Sequence, residues 1–128
     1  LMCILEKCRI CAAENKLPAT KKKVNDAVDF IDSNYSRIDM SLNLVADTIG
    51  VNASYLSNIF KKEKGCSLSK YLTQTRLEQA KKYLTEYPDK TLIEIAESIG
   101  YSYVYYFSKN FKKYYGISPS KYQEERKM

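Results

Sequence analysis

Residues 44–65 read LVADTIGVNASYLSNIFKKEKG, and residues 94–116 read EIAESIGYSYVYYFSKNFKKYYG. The two stretches are variants of one sentence. Their first glycines, Gly50 and Gly100, stand 50 positions apart, and their second, Gly65 and Gly116, stand 51 apart, so one residue is inserted between them. Each copy holds a short apolar helix pattern, a glycine turn, and a second helix carrying polar and basic residues. That is how a helix-turn-helix is written, and two in tandem point to DNA. A single segment of this kind is a weak signal, because any corner between two helices uses small residues and glycine. Repetition strengthens it, since both copies close on an aromatic-Lys-Lys sequence followed by Gly-x-Ser.

Working outward, the 3.6-residue period extends almost through the chain, no stretch alternates as a strand would, and the expected fold is all-α. The spacing predicts about seven helices plus an N-terminal helical linker. Residues 1–16 form an amphipathic pattern that Pro18 breaks, and Lys21, Lys22 and Lys23 read as a solvated linker. From Val24 a helix places Val24, Ala27, Val28, Ile31 and Tyr35 on one face. Ser41 caps a helix with Leu42, Val45, Ala46 and Ile49 inward. Gly50 ends it with a positive φ, and Asn52 caps the next helix, in which Leu56, Ile59 and Phe60 face the core. Ser67 caps a longer helix to about Tyr87, with Leu68, Tyr71, Leu72, Leu77, Ala80 and Leu84 as its apolar positions. In the second copy Thr91 caps a helix with Leu92, Ile95, Ala96 and Ile99 inside. Ser102 is expected to cap the following helix, which turns Phe107 and Phe111 inward. Of Tyr101, Tyr103, Tyr105 and Tyr106, at least two are expected to pack on the core, Tyr106 among them. Ser118-Pro119 opens a last helix, with proline in the tolerated first turn.

Composition narrows the function. The 128 residues carry a net charge of +6 with 21 basic side chains, suited to a polyanionic partner. There is no His, the commonest general acid–base, and no phosphate-cradling glycine loop, so an enzyme is not expected. Cys3, Cys8 and Cys11 have a superficial metal-ligand spacing, but zinc prefers four ligands, and helical packing with reduced thiols is the favoured reading. No cofactor is expected. No apolar run approaches the ~20 residues of a membrane span, and a cytoplasmic location without membrane contact is expected. The chain starts at Leu1 rather than Met, which suggests a piece of a longer protein whose regulatory part lies upstream. The division expected is a helical tail over 1–20 and a binding domain over 21–128, with helix-turn-helix segments at about 42–65 and 91–116 flanking a connecting helix at about 67–87.

The residues that carry a family resemblance are Ala46-x3-Gly50, Tyr55-Leu56-Ser57-x-Ile59-Phe60-Lys61-Lys62-x2-Gly65 and Arg76-Leu77-x2-Ala80-x3-Leu84. The second half adds Ile95-Ala96-x3-Gly100-Tyr101 and Tyr106-Phe107-Ser108-x2-Phe111-Lys112-Lys113-x2-Gly116-Ile117-Ser118-Pro119-x2-Tyr122. Over about residues 24–124 the sequence resembles the DNA-binding domain of the AraC/XylS family of bacterial transcription regulators. The resemblance implies two small helical subdomains and two recognition helices engaging successive major grooves of double-stranded DNA, ~34 Å apart. It implies base contacts from Ser54, Ser57 and Asn58 in the first recognition helix, and from Val104, Tyr105, Ser108 and Lys109 in the second. Phosphate contacts would fall to Lys61, Lys62, Lys112 and Lys113, and to the helix starts marked by Ser41, Asn52, Ser67 and Ser102. RNA polymerase is a further candidate partner. Neither recognition helix carries an Arg on its outer face, so A·T-rich sites are the expected preference. The competing reading is a helical protein-interaction module, which would want apolar residues at Ser54, Ser57, Asn58 and Lys109.

Overall fold

Seven α-helices and no strand make up the described residues, 19–127 of a computed structural model. They are α1 (Ala19–Asn34), α2 (Leu42–Ile49), α3 (Ala53–Lys64), α4 (Leu68–Glu86), α5 (Leu92–Ser98), α6 (Val104–Tyr115) and α7 (Pro119–Lys127). The expected helix over 1–16, with Cys3, Cys8 and Cys11, lies outside the described residues. Two compact units share α4 between them. The first takes α4 as far as Leu72, and the second begins at Thr73 and also claims the turn Tyr35–Ile38.

In the first unit α1 packs on both α2 and α3, which pack on each other. The inward faces are those the spacing predicts: Val24, Ala27, Val28 and Ile31 from α1, Val45 and Ala46 from α2, and Leu56, Ile59 and Phe60 from α3 are buried. Phe60 meets Tyr71 edge-on, with ring centroids 5.7 Å apart. In the second unit Leu77, Ala80, Leu84, Ile95, Ala96, Ile99, Phe107 and Phe111 form one buried cluster. There Phe111 meets Tyr122 at 5.9 Å, which repeats the Phe60–Tyr71 pair 51 residues along the chain. Burying a side chain of this size contributes roughly 1.5–3 kcal/mol, so each copy has the same aromatic anchor.

Two expectations need correction here. Lys21, Lys22 and Lys23 belong to α1 instead of a linker. Lysine is a good helix former, and a run of three does not by itself stop a helix: Lys22 is exposed while Lys21 and Lys23 are half-buried along α1. Tyr35 lies past the end of α1 and packs with the second unit's cluster, not with the face that holds Val24 and Ile31. The Arg76 guanidinium fixes that turn, donating from Nε to the Tyr35 carbonyl and from Nη2 to the Arg37 carbonyl, both at 2.7 Å.

Candidate nucleic-acid interface

The two copies build their turns from the same backbone device. At Gly50, φ is +80°, and the Val51 amide donates to the Ala46 carbonyl at 2.9 Å. At Gly100, φ is +99°, and the Tyr101 amide donates to the Ala96 carbonyl at the same 2.9 Å. A residue with a Cβ is strained in that left-handed region, so glycine closes each first helix and redirects the chain. Gly100 carries a second constraint. A Cβ there would meet Arg76 Nη2 and the Tyr35 carbonyl oxygen at 2.9 Å. The Arg76 guanidinium also lies 5.6 Å from the centre of the Tyr101 ring, and its burial lowers its pKa below the ordinary arginine value.

Beyond the turns the copies diverge by one residue. The helix after Gly50 begins at Ala53, whereas the helix after Gly100 begins at Val104, so the insertion falls in the second turn. Asn52 is the N-cap of α3, and its Oδ1 accepts from the Ser54 amide at 2.8 Å and the Tyr55 amide at 3.2 Å. Ser102 does not cap α6, contrary to expectation. The extra residue makes Tyr103 the N-cap, with extended backbone and no side-chain hydrogen bond to the helix start. The α6 amides are therefore left without the side-chain cap that α3 has.

Along each second helix the outward residues form a stripe. In α3, Ser54, Asn58, Lys61 and Lys62 are exposed and Ser57 is half-buried, while Leu56, Ile59 and Phe60 are buried beneath them. In α6, Tyr105, Lys109, Lys112 and Lys113 are exposed and Val104 and Ser108 half-buried, above buried Phe107 and Phe111. Ser54, Ser57, Asn58 and Lys61 are spaced i, i+3, i+4, i+7, and so are Tyr105, Ser108, Lys109 and Lys112, which places each set on one helix face. The remaining helix-start residues, Ser41 and Ser67, are exposed and serve as caps. Ser41 Oγ accepts from the Leu44 amide and Ser67 Oγ from the Lys70 amide, each at 3.1 Å. The start of α5 is different. Thr91 and Glu94 form a reciprocal capping box, in which the Glu94 carboxylate accepts from the Thr91 amide at 2.9 Å.

The tyrosines depart most from expectation. Only Tyr101 of the four packs against the core cluster. Tyr106 is 56% exposed, with Tyr105 at 67% and Tyr103 at 68%. The reason is phase: Phe107 and Phe111 already occupy the inward positions one turn apart, and Tyr106 points about 100° away from Phe107. The signal for this was available in the repeat. Counted at an offset of 51, Tyr106 matches Tyr55, which is also exposed. Lys64 is the reverse case, a lysine in a basic helix end that is buried to 3% exposure, so the basic surface of α3 rests on Lys61 and Lys62.

A family model described as a helix-turn-helix domain matches residues 45–125. The chain is 34% identical over 125 residues to the Msm operon regulatory protein of Streptococcus mutans, covering 98% of this chain and 44% of that protein. It is 39% identical over 101 residues to the lactose operon transcription activator of Staphylococcus xylosus, covering 78% of this chain and 35% of that one. The chain thus spans less than half the length of these two relatives. Among solved structures, the C-terminal domain of AraT, a response regulator from Geobacillus stearothermophilus, superposes with a TM-score of 0.78 at 38% identity, over 81% of this chain and 85% of that one. No helix among the described residues is long and apolar enough to cross a membrane. With the tandem turns, the matched outward stripes and these relatives in agreement, the chain belongs to the AraC-type helix-turn-helix family and is a DNA-binding domain of a transcription regulator.

Proposed function

We propose that the domain, residues 21–128, reads double-stranded DNA through α3 and α6, each lying in a major groove. In α3, Ser54, Ser57 and Asn58 contact base edges, with the Asn58 amide suited to the N6 and N7 of adenine. In α6 the same task falls to Val104, Tyr105, Ser108 and Lys109, with the Lys109 ammonium suited to O6 and N7 of guanine. Lys61, Lys62, Lys112 and Lys113 hold phosphates, helped by backbone amides at the helix starts near Ser41, Asn52 and Ser67 and at the turn near Ser102. The domain acts by binding and carries out no reaction of its own. In the whole protein it works in the cytoplasm beside a regulatory portion, and RNA polymerase is its further partner.

The observation that carries this reading is the repeated outward stripe: the same spacing of polar and basic side chains recurs on both second helices at an offset of 51, above buried aromatic anchors. An interaction groove for a protein helix would want apolar residues at Ser54, Asn58 and Lys109, and those positions are polar and exposed. A fluorescence-anisotropy titration of the 128-residue chain against promoter fragments and random duplex, at physiological salt, tests the reading. Tighter binding to one fragment is the expected result. Equal affinity for the best fragment and for random duplex would sink it.

A further inference from the structure

Three of the seven large apolar side chains exposed among the described residues fall within four consecutive positions, Tyr103, Tyr105 and Tyr106. They do not stand singly. The Tyr106 ring lies edge-on to both neighbours, with its centroid 6.3 Å from that of Tyr103 and 5.7 Å from that of Tyr105. As the N-cap of α6, Tyr103 accepts from the Phe107 amide through its backbone carbonyl, while its side chain makes no capping hydrogen bond and is left to the surface. Mutual contact restrains the three rings, each with only two rotatable side-chain torsions, so little conformational freedom remains to be lost on binding. The same helix carries Lys109, Lys112 and Lys113, all exposed. The patch is therefore apolar at the start of α6 and cationic along its length, which complements a groove with apolar groups inside and phosphates along its edges.

In the major groove the apolar group that distinguishes one base pair from another is the C5-methyl of thymine. With no guanidinium on the outer face of α6, guanine lacks its strongest reader, and the aromatic patch is the largest recognition surface this helix offers. We propose that Tyr103, Tyr105 and Tyr106 act together as a thymine-methyl reader, with Tyr106 as the central ring that positions the other two. This rests on the DNA-binding reading above. It extends that reading by assigning Tyr103 and Tyr106 to specificity and by naming the chemical group they recognise.

The test leaves the protein unchanged at first. A preferred duplex is selected from a randomised library with the 128-residue chain, and each thymine in it is replaced in turn by deoxyuridine. That substitution removes the methyl group and preserves base pairing. At least one position is expected to lose about fourfold in affinity, the fold-change corresponding to ~0.8 kcal/mol for one buried carbon, and two methyls lost together about fifteenfold. The double variant Tyr103→Ser and Tyr106→Ser should retain the wild-type melting profile and bind the thymine and deoxyuridine duplexes equally. Should selection return no duplex bound better than random sequence, the DNA reading falls and the methyl reader with it. If selective binding holds but no thymine shows a methyl effect, the aromatic reader alone is overturned. It is also overturned by a methyl effect that survives in the double variant, or by tighter binding to the matching single strand than to the duplex, which would make the rings a stacking platform.

Discussion

Lys109 and Phe111 stand two positions apart in α6, one exposed and one buried, and their replacement should have separable effects. Phe111 touches Phe107, Tyr115 and Tyr122, with ring centroids 4.7–5.9 Å away. Phe111→Ala is expected to cost roughly 3–5 kcal/mol of stability, read by chemical denaturation. Lys109→Ala should leave the unfolding midpoint nearly unchanged while weakening binding to the preferred duplex by roughly 1–3 kcal/mol and relaxing preference at one or two base pairs. An equal loss on random duplex would instead make Lys109 a phosphate anchor. Glu94 offers a test by pH. The Thr91 amide and hydroxyl hold its carboxylate below the usual range of about 4.5. Because the folded value is depressed, the contribution of the cap is present above pH 4.5 and disappears as pH falls through the lowered value. Glu94→Gln should therefore reduce the melting temperature near neutral pH, and the gap from wild type should close in acid. A gap that stays constant with pH would show that charge plays no part in the cap.

At the level of helices, the sequence was a good guide to the interiors and to most starts: Ser41, Asn52, Ser67 and Thr91 cap as expected, and Ser102 does not. The inward faces of α2 to α6 follow the apolar period because burial of one stripe is what holds a short helix in place. Ser102 misled because serine before a helix is a cap only if it sits at the boundary, and one inserted residue moved the boundary to Tyr103. Tyr106 misled because tyrosine is amphipathic, so composition cannot decide its side, whereas its one-residue offset from Phe107 does. The asymmetry of the two starts is measurable. Asn52→Ala removes acceptors from two amides and should destabilise the first unit by ~1 kcal/mol. Ser102→Ala should fall within ±0.5 kcal/mol, roughly the range of an ordinary surface substitution. Comparable losses from both would show that Ser102 supports the α6 start after all. The basic ends of the same helices are expected to act through charge. Replacing Lys112 and Lys113 by Ala should weaken all sequences about equally and flatten the slope of log affinity against log salt by roughly one to two units. An unchanged slope would remove the pair from the phosphate contacts.

Across the molecule, the chain's two-unit organisation is less visible in sequence than its repeat. The repeat shows in the spacing of glycines and aromatics, but the turn Tyr35–Ile38 falls in the second unit, where Tyr35 packs on the core cluster and Arg76, 41 positions from Tyr35, holds two carbonyls of the turn. A long side chain that donates to two backbone carbonyls leaves no periodic trace. The inserted residue in the second turn has a practical consequence for anyone wishing to redirect this domain to new sites. Recognition helices look like cassettes, and the glycine turns invite an exchange counted forward from Gly50 and Gly100. That count would lay 103–114 over 53–64, setting Lys109 in the place of buried Ile59 and Asn110 in that of fully buried Phe60. Each helix would be turned by about 100°, and the graft should not fold. Counted backward from Gly65 and Gly116, residues 104–115 replace 53–64, and Phe107 and Phe111 take the sites of Leu56 and Phe60. Only grafts made in that second register should yield a folded chimera with transplanted sequence preference, which circular dichroism followed by duplex selection can establish.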